Sequence, residues 1–128
     1  MLLFIHELKQ YSLDIISTVG PDLHSNSLGP KGENSNNLYL CYTNCLRKMK
    51  EESLRSIAFP CISTAIFGYP NEDACQVALE AVSNFMREHE DDVDLVIFCT
   101  FSEEDFKIYQ KSISSYFFWI NVIQLTKM

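Results

Sequence analysis

Three stretches of the chain are almost continuously apolar, and three others repeat their apolar residues every three to four positions. Leu13-Asp14-Ile15-Ile16-Ser17-Thr18-Val19 is rich in β-branched residues and is stopped by Gly20-Pro21. Ser56 to Ile62 and Val93 to Phe101 are near-continuous apolar runs. Strands whose alternate side chains meet helices on both faces have that pattern. Pro60 counts against a regular central strand, because proline donates nothing to a ladder. The periodic stretches predict helices. Ser35 to Lys50 sets Leu38, Cys41, Tyr42, Cys45, Leu46 and Met49 on one face, and its basic end (Arg47, Lys48, Lys50) complements the helix dipole. Asn71 to His89 carries Ala74, Ala78, Ala81, Val82 and Phe85 as a core stripe, with Asn71 as the expected cap and Glu72 and Asp73 in the first turn. Ser102-Glu103-Glu104-Asp105 resembles a capping box that opens a third helix with Phe106, Tyr109 and Ile113 inward. Strand and helix alternate, which predicts a layered α/β fold.

Gly20 to Asn37, with Gly29-Pro30-Lys31-Gly32 inside it, reads as a polar surface loop. Three strands make a small sheet for such a fold, and the first thirteen residues give no clear fourth. Two apolar segments remain, Leu2-Leu3-Phe4-Ile5 and Phe117 to Leu125. Either would serve as an added element on an open sheet edge. The tail is the better candidate, because Ile120, Val122 and Ile123 favour strands.

Composition narrows the partners. The 128 residues hold one domain, with 17 acids against 10 Lys and Arg and a net charge of -7. Eleven of the acids fall between Asn71 and Gln110 against two bases, and the bases form no cluster. Such a surface repels phosphate backbones and anionic lipids, so neither nucleic acid nor a membrane is an expected partner. Five cysteines, an odd count without paired spacing, fit a reducing compartment. Met1 to Ile5 has no basic stretch before its short apolar run, and Tyr116 to Leu125 is too short to span a bilayer. The expectation is a soluble protein inside the cell, in cytoplasm or nucleus.

Chemistry is concentrated where Ile62-Ser63-Thr64-Ala65-Ile66-Phe67-Gly68-Tyr69-Pro70-Asn71 joins a strand end to a helix start. Backbone N–H groups at such a turn converge on anions. Small side chains at Ser63, Thr64 and Ala65 let a diphosphate approach the main chain, and Phe67 and Tyr69 offer flat surfaces to a sugar or base. Every α/β fold needs such connections, so a turn with no ligand stands as the alternative. Cys41 and Cys45 lie four apart on one helix face without a second Cys/His pair, which favours small buried hydrophobes over zinc ligands. No metal and no cofactor is indicated. His6, His24 and His89 are scattered and expected at the surface, and Glu88, Glu90, Asp91, Asp92 and Asp94 read as a solvated turn.

The run from Ser56 to Pro70, SIAFPCISTAIFGYP, closely resembles the phosphate-loop region of macrodomains, specifically the MacroD-type branch. Ile16-Ser17-Thr18-Val19-Gly20-Pro21 is similar to that family's strand ending in Thr-Val-Gly-Pro. Val96 to Phe101, with Asp105-Phe106-Lys107-Ile108-Tyr109 after it, resembles the family's last strand and final helix. The resemblance implies an α/β, three-layer α/β/α macrodomain-like sandwich, incomplete at its N-terminal side. Residues 1–12 and 118–128 are then divergent segments around a C-terminal part of a macrodomain at 13–117. It also implies ADP-ribose, or a mono-ADP-ribosylated protein, as the partner. Ile62, Ser63, Thr64, Ala65, Ile66 and Phe67 would hold the diphosphate and distal ribose through backbone amides, with Phe101 against adenine. MacroD-type members remove ADP-ribose from modified carboxylate side chains and cleave O-acetyl-ADP-ribose without a metal.

The departures bear on catalysis. The family's adenine-reading Asp, its Asn-Ala-Ala-Asn segment and its glycine-rich loop with the catalytic Asp have no counterpart in Met1 to Tyr11. Ser17 stands where a His usually precedes Thr-Val-Gly-Pro, and Ala65 where the loop usually has Gly. If that position requires a positive φ, alanine costs on the order of 1 kcal/mol there. No catalytic residue is assigned. Three readings stand: a binding module that keeps the diphosphate loop without catalysis, an active hydrolase, and a truncated isoform without ligand function. The first is preferred, because a hydrolase must position water and stabilise charge at the scissile bond, and no residue matches those roles.

Overall fold

The computed structural model describes residues 2–7, 12–65 and 67–127, with side chains from residue 14 onward. Five strands form one sheet. β1 (Leu2–Glu7) and β2 (Ser12–Ser17) are antiparallel, β1 is also antiparallel to β3 (Ser56–Pro60), and β4 (Leu95–Thr100) and β5 (Ile123–Lys127) continue parallel to β3. The order is β2-β1-β3-β4-β5. The helices are α1 (Glu33–Glu51), α2 (Asn71–His89) and α3 (Glu103–Phe117).

Both leftover apolar segments become strands. β1 lies between β2 and β3, and the tail adds β5 to the outer edge of β4. The tail strand alternates, with Ile123 and Leu125 against the core and Gln124 and Thr126 exposed, as an edge strand does. Thr100 ties it down by donating from Oγ1 to the Thr126 carbonyl at 3.1 Å. Phe117 is buried, Phe118 is exposed, and Trp119 lies half-buried beneath the Arg87 guanidinium at 5.0 Å.

The helices follow their apolar periods. In α1, Leu38, Cys41, Tyr42, Cys45, Leu46 and Met49 are all buried, and in α2 so are Ala74, Ala78, Ala81, Val82 and Phe85. α1 packs on α2 and α2 on α3, so the three make one layer. Beneath it lie Ile57, Phe59, Val96, Phe98 and Thr100, none more than 1% exposed. Their alternates Ala58, Pro60, Leu95, Ile97 and Cys99 are only half-buried. Among the described residues, then, helices cover one face of these strands, and the continuous apolar runs do not reflect a helix on each side.

Three local expectations change. Asn71 is not a cap; Pro70 occupies the N-cap of α2 without a side-chain hydrogen bond, and its carbonyl accepts from the Ala74 N–H at 2.9 Å. Ser102 does cap α3, its Oγ accepting from the Asp105 N–H at 3.1 Å. Of the residues expected inward on α3, Tyr109 is buried while Phe106 and Ile113 are half-buried. β3 is central in spite of Pro60, which sits at the strand's last position, where ladder donors run out. His89 is not a free surface histidine either, being half-buried with its ring 4.4 Å from that of Phe85. Among the described residues no helix is long and apolar enough to cross a membrane.

Candidate ligand-binding site

The loop from Cys61 to Pro70 leaves the C-terminal end of β3 and enters α2. Its base is held from below. Tyr42, on α1 and 1% exposed, accepts from the Ile62 N–H at 3.3 Å and donates to the Pro60 carbonyl at 3.4 Å. Ile62 and Ser63 are buried, and Ser63 has φ 68, a left-handed backbone conformation. Two bonds close the loop on itself: the Tyr69 N–H donates to the Ser63 carbonyl at 2.9 Å, and the Gly68 N–H to the Ala65 carbonyl at 3.4 Å. The Thr64 hydroxyl donates to the Cys61 carbonyl at 3.3 Å.

The segment after β2 holds the loop from the side. The Leu23 N–H donates to the Phe67 carbonyl at 2.9 Å, and buried Tyr69 donates its phenol to the Pro30 carbonyl at 2.7 Å. Pro30 itself belongs to a turn fixed by buried Asn34, whose Nδ2 donates to Asn26 Oδ1 at 2.9 Å and to the Gly29 carbonyl at 2.8 Å. Gly68 has φ 70, which favours glycine, and a Cβ there would lie 2.5 Å from His24 Nε2 and displace that ring.

With the loop so held, the N–H groups of Ser63, Ala65 and Phe67 donate to no described residue. Ala65 is exposed and Phe67 half-buried. Ala65 is outside the left-handed region; the strain expected there falls instead on Ser63. Ile66 lies outside the described residues. Phe101 follows β4, which runs parallel to β3 with Pro60 opposite Cys99, so the loop and Phe101 leave the same end of adjacent strands. Phe101 is 80% exposed. Ligands of open parallel sheets bind at this end. The arrangement offers amides that donate to no described residue and an exposed aromatic ring at the same end of the sheet.

Below the loop lies a buried polar group. Burial pushes the phenols of Tyr42 and Tyr109 up, and the Cys61 thiol is pushed up first by burial and then by the charge of Asp105. All three stay protonated at neutral pH, so Cys61 carries no thiolate nucleophile there. Asp105 is 6% exposed, and its Oδ1 has no hydrogen-bond partner among the described residues. Sequence reasoning missed Tyr42 and Asn34 as supports of the loop. The first was visible only as a core position and the second as one of several polar loop residues.

A braced loop at the C-terminal end of parallel strands, in a sheet covered by helices, defines an α/β class of protein. The Macro domain family model matches residues 5–78, and the chain belongs to that family. The match begins inside the first twelve residues, which the motifs left unassigned. The chain is 44% identical over 103 residues to the ADP-ribose glycohydrolase MACROD2 of Mus musculus, covering 80% of this chain and 21% of that protein. Among solved structures it resembles the Oceanobacillus iheyensis macrodomain with ADP (TM-score 0.67, 39% identity, 77% of this chain and 48% of that one). It likewise resembles the Trypanosoma brucei macrodomain in complex with ADP-ribose (TM-score 0.62, 36% identity, 64% of this chain and 35% of that one). The chain thus spans about a fifth of that curated relative and less than half of each of these two structures.

Proposed function

We propose that this chain binds ADP-ribose, free or as the terminal group of a mono-ADP-ribosylated protein, without cleaving it. Ile62 to Phe67 take the diphosphate and distal ribose through main-chain amides, and Phe101 takes the adenine. The observation that carries this reading is the set of undonated N–H groups at Ser63, Ala65 and Phe67 on a loop braced from three directions. Amides fixed in advance bind an anion without the cost of ordering them. The complexes of similar macrodomains with ADP and ADP-ribose support the ligand class. Catalysis is set apart because the glycine-rich loop with the catalytic Asp that the resemblance leads one to expect has no match in Met1 to Tyr11.

Without a carboxylate to read adenine, affinity falls short of a complete site. One missing charge-assisted hydrogen bond costs roughly 1.5–3 kcal/mol, about one to two decades in Kd. Calorimetric titration with ADP-ribose should give micromolar or weaker binding, lost in Ala65→Glu, which sets a like charge against the diphosphate. Submicromolar binding, or binding indifferent to A65E, contradicts the proposal. So does release of ADP-ribose from a modified protein above the no-protein control that A65E abolishes.

A further inference from the structure

The bracing of the loop assigns roles to two residues that lie outside the loop itself. A Cβ on Gly20 would lie 2.1 Å from Ser63 Oγ and 2.5 Å from Ile62 Cγ2. Gly20 is buried, so the chain leaving β2 passes flat against the loop just where Ser63 takes its left-handed φ of 68. Ser63 Oγ is buried and has no hydrogen-bond partner among the described residues. On the other side, the Tyr42 hydroxyl is the only described group that takes the Ile62 N–H, and it also reaches the Pro60 carbonyl across the bend. Burial of the phenol keeps that hydroxyl protonated.

We infer that Gly20 and Tyr42 are positioning residues for the diphosphate loop, a two-sided clamp that holds Ser63 to Phe67 in the anion-binding shape without either clamp residue contacting the ligand. This rests on the proposed ADP-ribose site. A clamp of this kind acts through backbone geometry, and an error of about 1 Å in a preorganised site is enough to lose much of its affinity.

Three variants test it: Tyr42→Phe, Gly20→Ala, and Gly20→Ala combined with Ser63→Gly. The double variant removes the nearer of the two atoms that the new methyl would strike, leaving Ile62 Cγ2, and suits the positive φ at Ser63. Each is checked for folding by circular dichroism, and its loop amides are recorded in ¹H–¹⁵N spectra without ligand. ADP-ribose affinity is then measured by calorimetry beside the parent chain. Y42F should weaken binding roughly three- to tenfold, the worth of one neutral hydrogen bond. G20A should weaken it more than about tenfold, with the amides of Ser63, Thr64, Ala65 and Phe67 displaced before any ligand is added. The double variant should recover part of that loss. Parent-like affinity in Y42F or G20A, or a loss in G20A that persists undiminished in the double variant, overturns the clamp. If G20A does not fold, Y42F decides alone. A parent chain that fails to bind ADP-ribose instead defeats the proposed function, while the ligand-free loop shifts still report whether the contacts hold the loop.

Discussion

At the residue scale, two positions of the candidate site change meaning between sequence and structure. Ala65, where relatives of the resembled family carry glycine, invites an argument from strain, but the left-handed residue is Ser63. Local sequence does not reveal this, because the groups that meet Ser63 come from a distance: Gly20 in the segment after β2, and the Tyr69 N–H from the far end of the loop. Ser63→Gly should therefore stabilise the fold by up to about 1 kcal/mol, while Ala65→Gly should give no gain. A denaturant melt in which Ala65→Gly is the more stable variant contradicts this assignment. Phe101 is the opposite case. Its 80% exposure at a strand end has no packing explanation, and the resemblance alone marks it as a platform for a base. Stacking of a base on an aromatic side chain is worth roughly 1–3 kcal/mol, so Phe101→Ala should weaken ADP-ribose at least about fivefold and leave the melt unchanged. A melting shift with unchanged affinity would make Phe101 a structural residue.

At the scale of elements, the helices and three of the five described strands were legible, and the other two were legible only as apolar segments without a fixed place in the sheet. Apolar residues every three to four positions specify an amphipathic helix locally, and α2 runs from Asn71 to His89 as the period predicts. The capping serine of α3 is likewise a local signal. β1 and β5 are short, and their pairing is decided by distant partners, which no window of sequence contains. β5 matters to the sheet because it covers the outer edge of β4 with a full run of paired residues from Val96 to Thr100. Lys127 adds an ion pair to Glu103 of α3, which holds the Glu103 carboxyl below the usual carboxylate range. Deleting residues 118–128 removes half-buried Ile123 and Leu125 and leaves the ladder groups of β4 unpaired. The shortened chain should melt less cooperatively and self-associate in sedimentation. A monomer with a melt as sharp as the parent's would show that β5 contributes nothing.

At the scale of the whole molecule, titratable groups buried in the core make stability fall in alkali. Burial pushes the Cys45 and Cys75 thiols up to about 12 from 9.0, and it raises the Tyr42 and Tyr109 phenols as well. These groups keep their protons in the folded chain at pH values where the unfolded chain releases them. Their contribution is complete below pH 9 and is lost as pH rises toward 12. Each group that titrates only in the unfolded chain steepens the loss by roughly 1.4 kcal/mol per pH unit. Urea midpoints should hold steady from pH 7 to about 8.5 and drop progressively above 9. A midpoint flat to pH 11 would mean these side chains are not shielded. The sheet's alternating exposure is also a property of the whole. Continuous apolar runs in β3 and β4 show that both sets of side chains are apolar, but only the assembled helix layer decides which set is covered.

The central claim, that the loop after β3 is an ADP-ribose diphosphate site, is tested most directly by a ¹H–¹⁵N titration of the labelled chain with ADP-ribose. The account predicts that the amides of Ser63, Thr64, Ala65 and Phe67 move first and furthest, downfield as they take up hydrogen bonds to the diphosphate, with Phe101 following as the adenine stacks. Saturating shifts confined to another surface, such as the groove between α1 and α2 around Tyr39 and Asn84, or an unchanged spectrum at millimolar ADP-ribose, would contradict it.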